Sequence, residues 1–395
     1  MHLDADRGTS CRLRPAGLPV RPAFQQSERS LADKTSCAEC SDLPRVPAAR
    51  LEETARQLLG AAGVRDDVAE VTARGLVWTS LRGIDSHGIR LLPHYLEGVR
   101  GGRLTPDPNM RFERTAPATG LLDADHTFGH AAGMTAMGHA IGLAREAGIG
   151  AVSVHNSSHC GALSFFAHEA ARHDMVGIVF THATARVKTP ASNRPFFGNN
   201  PICLVAPMAR EEPFCFDAAT TGITFNAVKA AAAAGQTLPP GLVADAAGME
   251  TTDPAEAAQL LPIGDYKGFG LSMMVDILCA VLSGMPAGDQ VSPMFGAPMS
   301  RKRYLGQFFC ALNVAAFRDV GAFKAELQDL AERVRAEPAI RSGVPVLVPG
   351  DPEKAAWAER SVQGVPVPRH VLDEIDTLAR DLLTREVLGS GPELS

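Results

Sequence analysis

Apolar positions follow a helical period near both ends of the chain and a strand period between them. Leu51, Ala55, Leu58 and Leu59 share one helical face, and Gly60 and Gly63 close that run. A second helix is predicted behind Asp66-Asp67, with Val68, Val71 and Leu76 inward. It runs out at Gly83, where the polar turn Asp85-Ser86-His87-Gly88 follows, and Pro106 and Pro108 mark a surface connection. From about Ala118 the pattern changes. A helix carrying Met134, Met137 and Ile141 on one side leads to a strand over 150–154, a helix over 162–172 and a strand over 176–181. Strands over 202–206 and 214–216 come next, then a helical alanine run over 230–234 and a long loop from Pro239-Pro240 to Pro254. An apolar helix over 268–282, a strand over 308–314, a helix over 323–334, a turn over 348–351 and a helix over 371–383 complete the reading. The αβαβ alternation predicts an α/β fold, a sheet covered by helices.

Composition narrows the class. A chain of 395 residues, 45% of them hydrophobic, suggests two packed lobes, or one large one with excursions, around a sizeable core. The net charge of -6 and the lack of any basic stripe argue against nucleic acid. No apolar stretch reaches the ~18–20 residues of a membrane helix, so no membrane role is expected. Cys203, Cys215, Cys279 and Cys310 lie among aliphatic residues, the usage of reduced thiols in a cytoplasmic protein. Cys37-x-x-Cys40 has metal-ligand spacing, but no second pair follows and it is read as incidental. The leader 1–43 lacks the apolar core of a secretory signal and is expected to be disordered or a start-site extension.

The segment Asn156-Ser157-Ser158-His159-Cys160-Gly161-Ala162 is the strongest chemical signal. It lies where a strand gives way to a helix, the end of the sheet at which α/β proteins bind ligands. A histidine there is placed for proton transfer as base or acid. His155 and His159 are four apart, but Asn-Ser-Ser on a turn replaces the glutamate-bearing helix of zinc proteases, so no metal is expected. Asp85-Ser86-His87-Gly88 reads either as a second histidine with a hydroxyl neighbour facing substrate, or as a turn whose Asp and Ser cap backbone groups. Gly264-Asp265-Tyr266-Lys267-Gly268 precedes the apolar helix and reads either as an anion cradle or as a flexible turn with a solvated lysine. No Rossmann glycine fingerprint, P-loop or Gly-x-Ser-x-Gly elbow is present.

Seven motifs occur in one order: Ser86-His87-Gly88, Asn156-x-x-His159-x-Gly161-Ala162, Gly198-x-Asn200-Pro201, Phe216-Asp217-x-Ala219-Thr220, Thr251-Thr252-Asp253-Pro254, Lys267-Gly268-Phe269-Gly270 and Pro349-Gly350. Together, over 45–383, they resemble the type 2 malate/L-lactate dehydrogenase family. The stretch 251–307 is most similar to its ureidoglycolate dehydrogenase branch. The resemblance implies a non-Rossmann NAD(P)-binding α/β fold, a mixed sheet flanked by helices. It divides the chain into a helical lobe for substrate and dimerisation (44–117 with 300–395) and a cofactor-binding domain (118–299). It implies an oxidoreductase that moves a hydride between NAD or NADP and a 2-hydroxy or 2-oxo acid, in a homodimer. His159 would take the hydroxyl proton, with His87 sharing or replacing it and Ser86 beside it. Asp217, Ala218, Ala219, Lys267, Gly350 and Asp351 would bind the cofactor, and Arg90 and Asn200 the small carboxylate substrate. Reduction of a cyclic imine beside a carboxylate, and nucleotide binding without catalysis, are the alternatives.

Three positions depart from the family pattern. Leu91 stands where an arginine usually grips the substrate carboxylate, and Arg90 lies one residue earlier, about 100° around a helix. Asn226-Ala227-Val228 replaces Gly-Lys-Val, and Ala183 replaces a small or hydroxyl residue near the nicotinamide. Arg186 and Lys188 are nearby cations that offer alternative contacts.

Overall fold

The computed structural model describes residues 43–384 and 387–388; the leader expected over 1–43, up to residue 42, and its Cys37-x-x-Cys40 pair lie outside the described residues. Ten helices are described: α1 (Ala48–Ala61), α2 (Asp66–Leu81), α3 (Leu92–Arg100), α4 (Gly129–Ala147), α5 (Ser164–Arg172), α6 (Phe225–Ala233), α7 (Tyr266–Asp276), α8 (Val320–Arg335), α9 (Asp351–Gln363) and α10 (Arg369–Leu383). The main sheet has strands β1 (Arg111–Ala116), β2 (Thr119–Asp123), β3 (Ile149–Ser157), β4 (Met175–Thr181), β5 (Ile202–Ala206), β6 (Phe214–Ala218) and β7 (Leu305–Asn313). Their spatial order is β1-β2-β3-β7-β4-β5-β6. Only β2 and β3 pair in parallel within this sheet, so it is mixed, as expected. Short strands within 187–260 form a second small sheet.

The periodic faces of α1 and α2 bury Leu51, Leu58, Leu59 and Leu76 against Leu92 and Leu96 of α3 and Leu372 and Ile375 of α10. Asp66 and Asp67 sit in the first turn of α2, where carboxylates complement the helix dipole. Arg45–Val46 pairs antiparallel with Val365–Pro366, which ties the two ends of the chain into one helical layer. On the main sheet, Met137 and Ile141 of α4 and Phe166 of α5 pack on Val152, Val154, Val179 and Phe309. Val275 of α7 and Cys279 beyond it cover Phe180 on β4, with Phe308 packed alongside.

Several expectations change. Residues 300–395 do not stay in the helical lobe, because β7 runs between β3 and β4 in the middle of the sheet. A central strand is covered on both faces: Gln307, Phe309 and Ala311 are buried on one and Gly306 and Cys310 on the other. Helix α9 follows the 348–351 turn directly, with Pro352 in its first turn behind left-handed Gly350. Strand β1 begins before the 118 boundary; it is a polar, largely exposed edge and shows no apolar alternation. The apolar helix stops at Asp276 and continues as a π-helical turn over Ile277–Val281.

Candidate active site

His87 lies on a 3-10 turn, Asp85–His87, that leaves the end of α2. Two contacts fix this turn. Arg360 of α9 donates to both oxygens of Asp85 (2.6 and 3.0 Å) and to the Ser80 carbonyl (2.6 Å). The backbone N–H of Ile89 donates to Ser80 Oγ (2.9 Å), and a Cβ on Gly88 would fall 2.1 Å from that oxygen, so only glycine allows the approach. Ser86 Oγ lies 2.8 Å from His87 Nδ1. Nε2 has no hydrogen-bond partner among the described residues. Among the described residues, neither Asp85 nor Ser86 is seen capping a backbone group: Asp85 anchors the turn on Arg360, and Ser86 lies against the His87 ring and orients it.

His159 follows β3 on the approach to α5. Its Nδ1 is 2.7 Å from the hydroxyl of Tyr95, which α3 presents and which is 2% exposed. The His159 and His87 rings lie nearly parallel, 5.5 Å apart and inclined by 24°. Gln307 of β7 holds the backbone leading to His159, accepting from Ser157 Oγ (3.1 Å) and donating to the Ser158 carbonyl (3.1 Å). Gly129 opens α4 against the Ser158 and His159 carbonyls, 2.5 and 2.6 Å from where a Cβ would stand. At the other end, Asp217 of β6 accepts from Ser164 N (2.8 Å) and Ser164 Oγ (2.7 Å), capping α5 at its positive end.

The histidines here are neutral at pH 7. Burial, then His87 and Arg303, push His159 well below the usual imidazole value. Burial and the Arg90 charge lower His87 to about 4, and burial lowers His130 to about 3. Burial raises the Tyr95 phenol well above 10, so it stays protonated and can donate or accept at His159 Nδ1. A neutral imidazole with one nitrogen oriented and the other free is a proton acceptor.

Three segments expected at the cofactor come together. Left-handed Gly350 packs on Cys215, two residues before Asp217 on β6. The chain beyond Ala218 and Ala219 pairs with the lead-in to α7: Thr221 bridges Pro262, and Ile263 N donates to the Thr220 carbonyl (3.0 Å). Lys267 stands exposed in the first turn of α7, with no acidic partner among the described residues. A helix start, a free lysine and a glycine-lined turn fit the anionic part of a dinucleotide. Asp351 is engaged by the fold, accepting from Arg335 (2.6 and 2.9 Å) and from Val348 N (3.0 Å).

Other expected residues are placed differently. Asn200 is fully buried and its amide is occupied by Ala183 N (3.0 Å), the Ser272 carbonyl (2.8 Å) and Asp276 Oδ1 (3.2 Å). It braces α7 against the sheet rather than offering a free atom to substrate. Arg90 is exposed, and Arg186 lies over the Phe225 ring at 4.8 Å. His155 turns to Asp123 (3.7 Å) while His159 turns to Tyr95, so the two do not converge on a metal. Tyr95, His130, Gln307, Arg303 and Arg360 were not expected. A proline in the first turn of α3 was the available signal for the helix that carries Tyr95.

Residues 46–376 match the family model described as malate/L-lactate dehydrogenase. The chain belongs to that family. An L-sulfolactate dehydrogenase from Methanothermobacter thermautotrophicus is 31% identical over 329 residues, 83% of this chain and 94% of the relative. A ureidoglycolate dehydrogenase (NAD(+)) from Escherichia coli K12 is 32% identical over 319 residues, 80% of this chain and 91% of the relative. The crystal structure of a malate dehydrogenase from Entamoeba histolytica superposes with a TM-score of 0.81 and 26% identity, covering 87% of this chain and 99% of that one. The family's non-Rossmann α/β fold, expected from the seven motifs, is thereby established.

Proposed function

We propose that this chain is an NAD(P)-dependent oxidoreductase of 2-hydroxy and 2-oxo acids, with His159 as proton acceptor in the oxidation. The supporting observation is the His159–Tyr95 pair beside His87: a half-buried neutral imidazole, oriented through one nitrogen, at the sheet end where the cofactor segments meet. Bound nicotinamide supplies the hydride chemistry. Asp217, Ala218, Ala219, Lys267 and Gly350 line the cofactor, and Asp351 holds the turn bearing Gly350. During oxidation the free nitrogen of His159 takes the hydroxyl proton. The imidazolium formed then donates through Nδ1 to the Tyr95 oxygen, which stabilises the charge. His87, held by Ser86, flanks the same space and is the alternative proton carrier.

The apolar row on α7 and its π-helical extension supports a homodimer. Met273, Met274, Ile277, Val281 and Leu282 are each 38–65% exposed, a large contiguous patch for a monomer. A cytoplasmic setting is supported by Cys160, Cys203, Cys215, Cys279 and Cys310, all buried and unpaired. No described helix is long and apolar enough to cross a membrane.

The test follows absorbance at 340 nm with NADH or NADPH and a panel of 2-oxo acids, and with NAD or NADP and malate, lactate, sulfolactate and ureidoglycolate. Turnover of one acid is expected. Turnover of cyclic-imine carboxylates alone, or nucleotide binding without any turnover, contradicts the proposal.

A further inference from the structure

The position of Leu91 leaves the site without the expected carboxylate grip, yet the site holds a cation. Arg303 ends the segment that leads into β7 and is 4% exposed. Its neighbour Arg103, 3% exposed, explains how the segment is held. Arg103 donates to the carbonyls of Met294 (2.8 Å), Ala297 (3.0 Å), Pro298 (3.1 Å) and Arg301 (3.2 Å), so its guanidinium is fully used by backbone. Arg303 is used by almost nothing. Among the described residues its one hydrogen bond runs from Nη2 to Thr184 Oγ1 at 3.3 Å, its Nε is buried without a partner, and no carboxylate pairs with it. A buried cation without a counter-ion is strongly unfavourable and persists where a ligand supplies the anion. Leu305, two residues on, pairs with Ser157, two residues before His159, which brings Arg303 to the His159 end of the sheet, and its charge acts on Tyr95 and His159.

We propose that Arg303 binds the carboxylate of the substrate, doing from the β7 side what an arginine at position 91 would do from the α3 side. This rests on the 2-hydroxy acid reading above. The free Nε and a terminal nitrogen present the two parallel donors that match a carboxylate. Thr184, whose hydroxyl also contacts the Ser292 carbonyl (3.3 Å), orients the fork. With the carboxylate on Arg303, the adjoining hydroxyl-bearing carbon faces His159. Burial takes Arg303 only to about 10, so it is cationic at pH 7.

The probe is oxamate, an unreactive analogue of a 2-oxo acid, titrated calorimetrically into the NADH-loaded enzyme beside its neutral counterpart oxamide. Wild type is expected to bind oxamate and not oxamide. In Arg303→Gln, oxamate affinity falls about 30- to 100-fold, the size of a lost charge-assisted pair, and the preference over oxamide disappears. KM for the acid rises by a similar factor. Arg303→Lys retains part of the preference, as a point charge without the fork. Thermal denaturation separates this from a structural role. Arg303→Gln keeps or raises Tm because it removes an uncompensated charge, whereas Arg103→Gln lowers it. Failure of wild type to bind oxamate, or oxamate affinity within twofold of wild type in Arg303→Gln, overturns the inference. If wild type turns over a 2-hydroxy acid while Arg303→Gln keeps its KM, Arg303 is excluded and the proposed function stands. If oxamate binds through Arg303 but no 2-hydroxy acid turns over, the anion site stands and the function falls.

Discussion

At the residue scale the chemistry reduces to what surrounds His159. Its Nδ1 is committed to Tyr95, so proton transfer has to use the other nitrogen. Replacing His159 by Asn is expected to lower kcat by about 10²–10⁴-fold, the usual worth of a positioned acid/base, while NADH affinity measured by fluorescence stays within a few-fold. Tyr95→Phe removes one hydrogen bond from the charged imidazole and is expected to lower kcat by roughly 10-fold with KM little changed. An increase in KM alone would assign Tyr95 to substrate binding instead. The motif around His159 was legible in the sequence because strand, turn and helix are contiguous there. Tyr95 and Arg303 were not. They arrive from α3 and from the lead-in to β7, and only tertiary packing brings them to His159. Arg301-Lys302-Arg303 reads in one dimension as a solvated basic turn, yet Arg303 is buried.

At the element scale, the site depends on contacts between distant parts of the chain. Helix α9 delivers Arg360 to Asp85, and β7 delivers Gln307 to Ser157 and Ser158, just before His159. Asp85→Asn keeps the shape of the turn and removes its charge beside Arg360. Discounting for the 45% exposure of the Asp85 side chain, the expected loss is about 1–3 kcal/mol, read as a lower urea midpoint. The lowered kcat of this variant should not be recovered by raising substrate, since His87 is displaced rather than a substrate contact removed. Unchanged stability and kcat would show that Arg360 is not what places the turn. The hydrophobic pattern identified α1, α2, α4, α5 and the strands that pair with them. It missed α9, whose Arg360 face is polar, and β1, a solvated edge. It also could not show that Asn200 is enclosed, because an asparagine clamping two elements and one facing a ligand have the same local sequence.

At the scale of the whole molecule, buried and half-buried histidines link folding to pH. His130 and His168 are lowered to about 3, and His87 and His94 to about 4, with burial the first cause in each case. In the unfolded chain each titrates near 6.5, so the unfolded state binds more protons below that value. Stability is therefore full above about pH 7 and falls as the pH drops from 6.5 towards 4. Each of His130 and His168 costs about 2 kcal/mol at pH 5. Calorimetric scans at pH 7.5 and 5 are expected to show Tm falling, with proton uptake on unfolding; a Tm that rises towards pH 5 would contradict the burial. The apolar row on α7 gives a second expectation at this scale. Ile277→Asp with Val281→Asp is expected to halve the solution mass measured by light scattering. A wild-type monomer would remove the dimer from the account.

The central claim is that His159 accepts the proton when a 2-hydroxy acid loses hydride. Single-turnover formation of NADH or NADPH at 340 nm, measured with saturating oxidised cofactor for wild type, His159→Asn and His87→Asn, tests it most directly. A rate reduced about 10²–10⁴-fold is expected in His159→Asn, with a smaller loss in His87→Asn. A wild-type rate in His159→Asn together with an inactive His87→Asn would contradict it and move the proton to the other histidine.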